Sequence, residues 1–231
     1  QVSSAASDVY KRQVLFDLDG TLIDSESLTD RVVIDLLQKH TLHASNLNLR
    51  QFHGTNWRSI AVQLSNLFPS LDDVEYTVDT LSTHFSELCQ HTPAPLIPGS
   101  REAFFSASSH FPTAIVTSSN ADVVEHFLRH AELESACSFF ISSENYTESK
   151  PHPSCYQLAA ERLNLPPAQC LVFEDSTPGL QAARAAGMPA IAVLHNAPPP
   201  PADLAVGLIT DFTELPNTFF DQISYPSLTE E

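Results

Sequence analysis

The chain has 231 residues, 42% of them hydrophobic, which is enough to pack a core and too much for a wholly disordered polymer. Its 28 acidic and 11 basic residues give a formal net charge of −17, which argues against nucleic acid or an anionic membrane as partner, since both demand clustered Lys and Arg. No apolar run reaches the roughly 18 residues of a membrane span, and the four cysteines (Cys89, Cys137, Cys155 and Cys170) lack metal-ligand spacing, so free thiols in a reducing cytoplasm are expected.

The first 13 residues, QVSSAASDVYKRQ, lack the apolar stretch of a signal peptide and read like a spurious leader from translated adapter sequence. The fold is therefore expected to begin near Val14. Val14–Leu18 reads as a buried strand broken by one Asp. Leu28, Val32, Val33, Leu36 and Leu37 fall at helical spacing, as do Ile60, Leu64 and Leu67, and then Val74, Val78, Leu81, Phe85 and Leu88. No strand is expected between Ser27 and about Thr92. The proline-rich His91–Gly99 marks a return point.

Strands are then expected at Thr113–Val116, Phe139–Ser142, Cys170–Phe173, Ala190–Leu194 and Gly207–Thr210. Helices are expected around Val123–Leu128, at Pro153–Leu163 and at Gly179–Ala186. Such alternation implies an α/β fold, a doubly wound Rossmann-like parallel sheet with helices on both faces. The helical block after the first strand implies an inserted cap. The expected division is a core of residues 14–26 and 96–222, a cap of 27–95 and a tail of 223–231. Ligands of such sheets bind beyond the carboxyl ends of the strands.

Four clusters fall at those ends. Asp17-Leu18-Asp19-Gly20-Thr21 puts two carboxylates after a buried strand, a costly arrangement unless a hard cation such as Mg²⁺ compensates them. Thr117-Ser118-Ser119-Asn120 puts hydroxyls before a helix start, a place for an anion or simply a helix cap. Lys150, one of only three lysines with Lys11 and Lys39, precedes another helix; it could neutralise a phosphoryl group or be a solvated loop residue. Glu174-Asp175-Ser176 again ends an apolar strand in paired acids, also an ordinary feature of helix starts.

In order and position the four clusters resemble the haloacid dehalogenase superfamily of phosphotransferases, from Val14 to about Ile209, with the cap placed as in its β-phosphoglucomutase-like branch. The resemblance implies Asp17 as nucleophile forming an aspartyl-phosphate and Asp19 as general acid and then base. It implies that Thr117 and Lys150 bind the phosphoryl oxygens, with Ser118 and Ser119 as further phosphate-binding residues. Mg²⁺ would be held by Asp17, the backbone carbonyl of Asp19, and Asp175, with Glu174 assisting. The second acid, Asp19, favours phosphate chemistry, because the family's true dehalogenases lack it. Gly54 and Arg58 lie where related caps contact substrate, although Arg58 reads equally well as a surface residue.

The expected enzyme is thus a monomeric, cytoplasmic phosphatase of a small phosphorylated metabolite. Sugar, polyol and nucleoside phosphates all stay open. A sugar phosphate mutase is the alternative, disfavoured by Thr29, where family mutases carry a histidine. A non-catalytic binding module is the third reading, disfavoured because every acid and the lysine are present.

Overall fold

The computed structural model describes residues 11–45, 47–52 and 57–223. The chain divides into two compact units, residues 24–95 and the remainder on both sides of them. The break falls after Ile23, three residues before the boundary expected after Glu26.

The larger unit is built on six strands: β1 (Gln13–Phe16), β2 (Thr113–Val116), β3 (Phe139–Ile141), β4 (Cys170–Glu174), β5 (Ala190–Val193) and β6 (Gly207–Ile209). All pairings are parallel, in the order β3-β2-β1-β4-β5-β6. Every residue of β1, β2, β4 and β5 is buried. A parallel sheet covered on both faces demands this, which is why these strands read as continuous apolar runs rather than as alternation. At the centre, Phe16 stacks on Phe173 with ring centroids 4.9 Å apart.

Among the described residues this unit also holds α4 (Ser100–Ser108), α5 (Ala121–Ala131), α6 (Ser154–Leu163), α7 (Thr177–Ala185) and α8 (Phe219–Ile223). The sequence reading did not anticipate α4 or α8. Two other expectations are corrected. The expected strand Val14–Leu18 ends at Phe16, so Asp17 stands just past it. The fold does not start at Val14 either: Gln13 is the first residue of β1, and Lys11 is 2% exposed with its Nζ donating to the Ala168 carbonyl at 3.0 Å.

The smaller unit holds α1 (Glu26–Lys39), α2 (Trp57–Leu67) and α3 (Val74–His91) around a core of Val32, Val33, Leu36, Leu37, Phe52, Ile60, Leu64 and Leu81. Trp57 packs on Phe85 at 5.2 Å. Ile23 and Leu96, at the two points where this insert leaves the larger unit, pair in an antiparallel bridge.

Candidate active site

The three central strands deliver the chemistry. β1, β2 and β4 are neighbours and parallel, so the residues that follow them emerge at one sheet edge: Asp17 after Phe16, Thr117 after Val116, and Asp175 after Glu174. The ladder runs one step further at two of these ends. Asp17 N–H donates to the Phe173 carbonyl at 3.0 Å and Thr117 N–H to the Ile141 carbonyl at 2.9 Å, which fixes both backbones.

Lys150 reaches this edge from the loop before α6. Its Nζ lies 2.6 Å from Asp17 Oδ1, 2.7 Å from Glu174 Oε1 and 3.2 Å from the Val116 carbonyl. Three acceptors match the three ammonium protons. The side chains of Lys150, Asp17 and Glu174 are 7%, 8% and 1% exposed, so this is a desolvated ionic cluster and not a surface pair. The ammonium also sits 5.2 Å over the Tyr156 ring.

Glu174 ties the cluster to α7. Its Oε2 accepts from Ser176 N–H at 2.8 Å and Ser176 Oγ at 2.9 Å, and that hydroxyl caps α7 by accepting from Gly179 N–H at 3.1 Å. Gly179 is there for space: a Cβ would lie 1.6 Å from Glu174 Oε1. Gly20 answers to both space and conformation. Its φ of +79° suits glycine, and a Cβ would lie 2.2 Å from Asp175 Oδ2. Asp175 Oδ1 takes the Thr21 hydroxyl at 3.3 Å.

The carboxylates of Asp17, Glu174 and Asp175 offer oxygens that all lie within 4.8 Å of one another. One ammonium does not balance the buried carboxylates of Asp17 and Glu174 together with the partly buried Asp175. Burial pushes Asp17 up to about 8, against the pull of Lys150. Asp175 is held well above the carboxylate range by burial and then by the Glu174 and Asp17 charges. Burial alone would lower Lys150, but Asp17 and Glu174 outweigh it and hold the ammonium well above its ordinary value. Hard oxygen donors with surplus negative charge fit a divalent cation of the Mg²⁺ type.

Asp19 was expected to offer the metal its backbone carbonyl, and its side chain faces the hydroxyl cluster: Oδ2 takes Ser119 Oγ at 2.6 Å and lies 3.4 Å from Thr117 Oγ1. That leaves its backbone carbonyl as the atom to offer a cation. Ser118 is exposed, with Oγ 3.3 Å from the Tyr146 hydroxyl, which donates to the Thr117 carbonyl at 3.0 Å.

Of the two candidates in the smaller unit, Gly54 lies outside the described residues. Arg58 pairs with Glu75 at 2.7 Å, both side chains about two-thirds exposed, an ordinary surface contact. Sequence reasoning missed Tyr146, Tyr156 and the spatial role of Gly179. Only Gly179 carried a signal, a glycine in the first turn of a helix directly after paired acids.

An open parallel sheet that gathers acids, hydroxyls and one lysine beyond the carboxyl ends of its central strands is the framework of a doubly wound α/β enzyme. The family model described as haloacid dehalogenase-like hydrolase matches residues 14–193. A fructose-1-phosphate phosphatase of Escherichia coli is 29% identical over 189 residues, covering 80% of this chain and 98% of that protein. A phosphorylated carbohydrates phosphatase of Thermotoga maritima is 31% identical over 192 residues, covering 79% and 85%. Among solved structures, a family hydrolase of Deinococcus radiodurans with bound phosphate and sodium is 28% identical, with a TM-score of 0.76 over 95% of this chain and 100% of that one. The chain belongs to the haloacid dehalogenase-like hydrolase family, and within it groups with the phosphatases.

Proposed function

We propose that this protein is a Mg²⁺-dependent phosphomonoester hydrolase of a small phosphorylated metabolite, acting through an aspartyl-phosphate on Asp17. The observation that carries this reading is the ionic cluster, in which Asp17 stands against Lys150 and within reach of Glu174 and Asp175. Curated relatives that act on fructose 1-phosphate and on phosphorylated carbohydrates, by name, favour sugar or polyol phosphates as the substrate class.

Asp17, Asp175 and the Asp19 carbonyl, with Glu174 assisting, would hold Mg²⁺, which would supply positive charge to offset that of the phosphoryl group. An Asp17 carboxylate oxygen attacks phosphorus as the ester P–O bond breaks, and Asp19 gives its proton to the departing oxygen. Water then attacks the aspartyl-phosphate, and Asp19 takes its proton. Lys150 and the hydroxyl of Thr117 hold the phosphoryl oxygens throughout, since phosphoryl transfer is chiefly positioning and charge neutralisation. Residues 24–95 serve as the substrate-selecting cap, inserted in the chain a few residues after the nucleophile. The enzyme works as a monomer in the cytoplasm; no helix among the described residues is long and apolar enough to cross a membrane.

Hydrolysis is preferred to a mutase reaction because Thr29 offers no imidazole where family mutases carry one. The test is phosphate release from a panel of sugar, polyol and nucleoside phosphates, with Mg²⁺ and with chelator. Release should require Mg²⁺ and disappear in Asp17→Asn, whose amide is a poor nucleophile and ligand. Full release in chelator, or a few per cent of the wild-type rate surviving in Asp17→Asn, would overturn the mechanism.

A further inference from the structure

The hydroxyl of Ser119 is placed to do something other than bind substrate. It donates its only proton to Asp19 Oδ2 at 2.6 Å, a short hydrogen bond to a carboxylate. A serine hydroxyl has one proton to give, so while this bond stands none is left for a phosphoryl oxygen. The residue is also pinned on both sides. Its N–H donates to Thr117 Oγ1 at 3.0 Å, and its carbonyl accepts from Ser143 N–H at 3.0 Å. The backbone therefore aims the hydroxyl at Asp19 before any ligand arrives. The two oxygens of Asp19 are not equivalent: Oδ2 faces both Ser119 and Thr117, whereas Oδ1 makes no hydrogen bond among the described residues.

We infer that Ser119 is a positioning residue for proton transfer, anchoring Asp19 through Oδ2 so that its proton is carried on Oδ1. This rests on the hydrolase reading above and deepens it. In the first half-reaction the Oδ1 proton passes to the leaving oxygen as the P–O bond breaks, leaving a carboxylate. In the second, Oδ1 takes a proton from the attacking water, which restores the acid. Oδ2 stays bonded to Ser119 in both, so the carboxyl need not reorient between steps.

The probes are phenyl phosphate and 4-nitrophenyl phosphate, close in shape but different in leaving group. Phenolate leaves poorly and benefits from a proton; 4-nitrophenolate leaves readily without one. Phosphoenzyme formation governs kcat/KM, so this constant isolates the step in which Asp19 is the acid. Ser119→Ala should lower kcat/KM about tenfold for phenyl phosphate and less than about twofold for the nitro ester, a part of the ~10²-fold or more that a positioned acid contributes. Asp19→Asn gives the full leaving-group effect for comparison. Ser119→Thr, which keeps a hydroxyl, should restore the phenyl ester rate. Ser119→Cys, similar in size but a weak donor, should not, and it serves as the second variant if the alanine protein melts early.

Equal losses on both esters would make Ser119 a phosphate ligand or a structural residue and overturn the inference, as would no loss on either. A wild-type protein that releases phosphate from neither ester would instead refute the phosphatase reading, and this inference with it.

Discussion

Gly179→Ala turns a routine stabilising change into a damaging one. In an exposed helix interior, alanine gains about 1 kcal/mol over glycine. At the third residue of α7 the added Cβ would lie 1.6 Å from Glu174 Oε1, so the carboxylate must retreat by about 2 Å to reach ordinary contact distance. A flexible side chain could swing away at little cost, but Glu174 is 1% exposed and bonded to Lys150, to Ser176 N–H and to Ser176 Oγ. Overpacking of this kind costs about 1–3 kcal/mol. For a chain of this size that lowers Tm by about 5 °C. The shift also drags Lys150 from its place beside Asp17, and a displacement of about 1 Å at such a site can cost on the order of a hundredfold in rate. A thermal melt and phosphate release from 4-nitrophenyl phosphate read both effects. Adding Glu174→Asp, one methylene shorter, should recover part of the lost Tm. A Gly179→Ala protein that melts higher than wild type with unchanged turnover would refute the close-packing argument.

Lys150→Ala should lower turnover by about a hundredfold, on the order of 3 kcal/mol of transition-state stabilisation; Lys150→Arg should rescue poorly, because a planar fork does not fill the place of a point charge held by three acceptors. Lys39→Ala, on the exposed last turn of α1, is the control, and equal rates for it and Lys150→Ala would remove the lysine from the mechanism. His110 gives a pH test away from the site. Its Nδ1 lies 2.8 Å from the Ser106 carbonyl and its Nε2 2.6 Å from Asp221 Oδ1, and only the imidazolium can donate to both. The Ser106 carbonyl foremost, then Asp221, raises its pKa over the opposing effect of burial. A raised folded value means the stabilisation is complete below the ordinary histidine value and fades as pH rises through the raised one. Melts of wild type and His110→Gln should therefore differ most below the ordinary histidine value of about 6.5 and converge as pH rises past the raised one; a constant gap would show that His110 is uncharged there.

The legible part of the fold was the part written in short-range pattern. Thr113–Val116 was read to the residue because a short, β-branched apolar run, too brief for a helix, suits a buried central strand. Helix α4 was not, because its sequence, SREAFFSAS, is rich in serine and too short for its apolar residues to set a clear helical period. Its helical state comes from packing: Ala103, Phe104 and Ala107 are buried, and Phe104 meets the Phe16 ring at 5.1 Å. Helix α8 has five residues and is held by Phe219 and Phe220 against Phe173, contacts no local window contains. The three residues just before Val14 were hidden for the opposite reason. Lys11, Arg12 and Gln13 look like a solvated tail, yet Lys11 and Arg12 N–H donate to the Ile223 and Gln169 carbonyls.

The site divides along the same line. Charges at the ends of apolar runs stand out because burying them is costly, and so the acids and Lys150 were visible. The groups that govern those charges were not, since Tyr156 meets Lys150 and Glu174 only through the fold, and Ser119 looked like one hydroxyl among several. Those hidden contacts also explain how a chain of net charge −17 can work on an anion. The field of the whole molecule repels a phosphate ester, so attraction must be local. Lys150 cannot supply it alone, because two of its three bonds already go to Asp17 and Glu174. With Asp175 added, carboxylates outnumber the ammonium before substrate arrives; burial first, and then the neighbouring carboxylates, push Asp17 and Asp175 upward. A divalent cation held by the three carboxylates would offset their charge and leave the lysine's charge free to face the substrate. Binding of metal and binding of phosphate are thus two parts of one electrostatic problem.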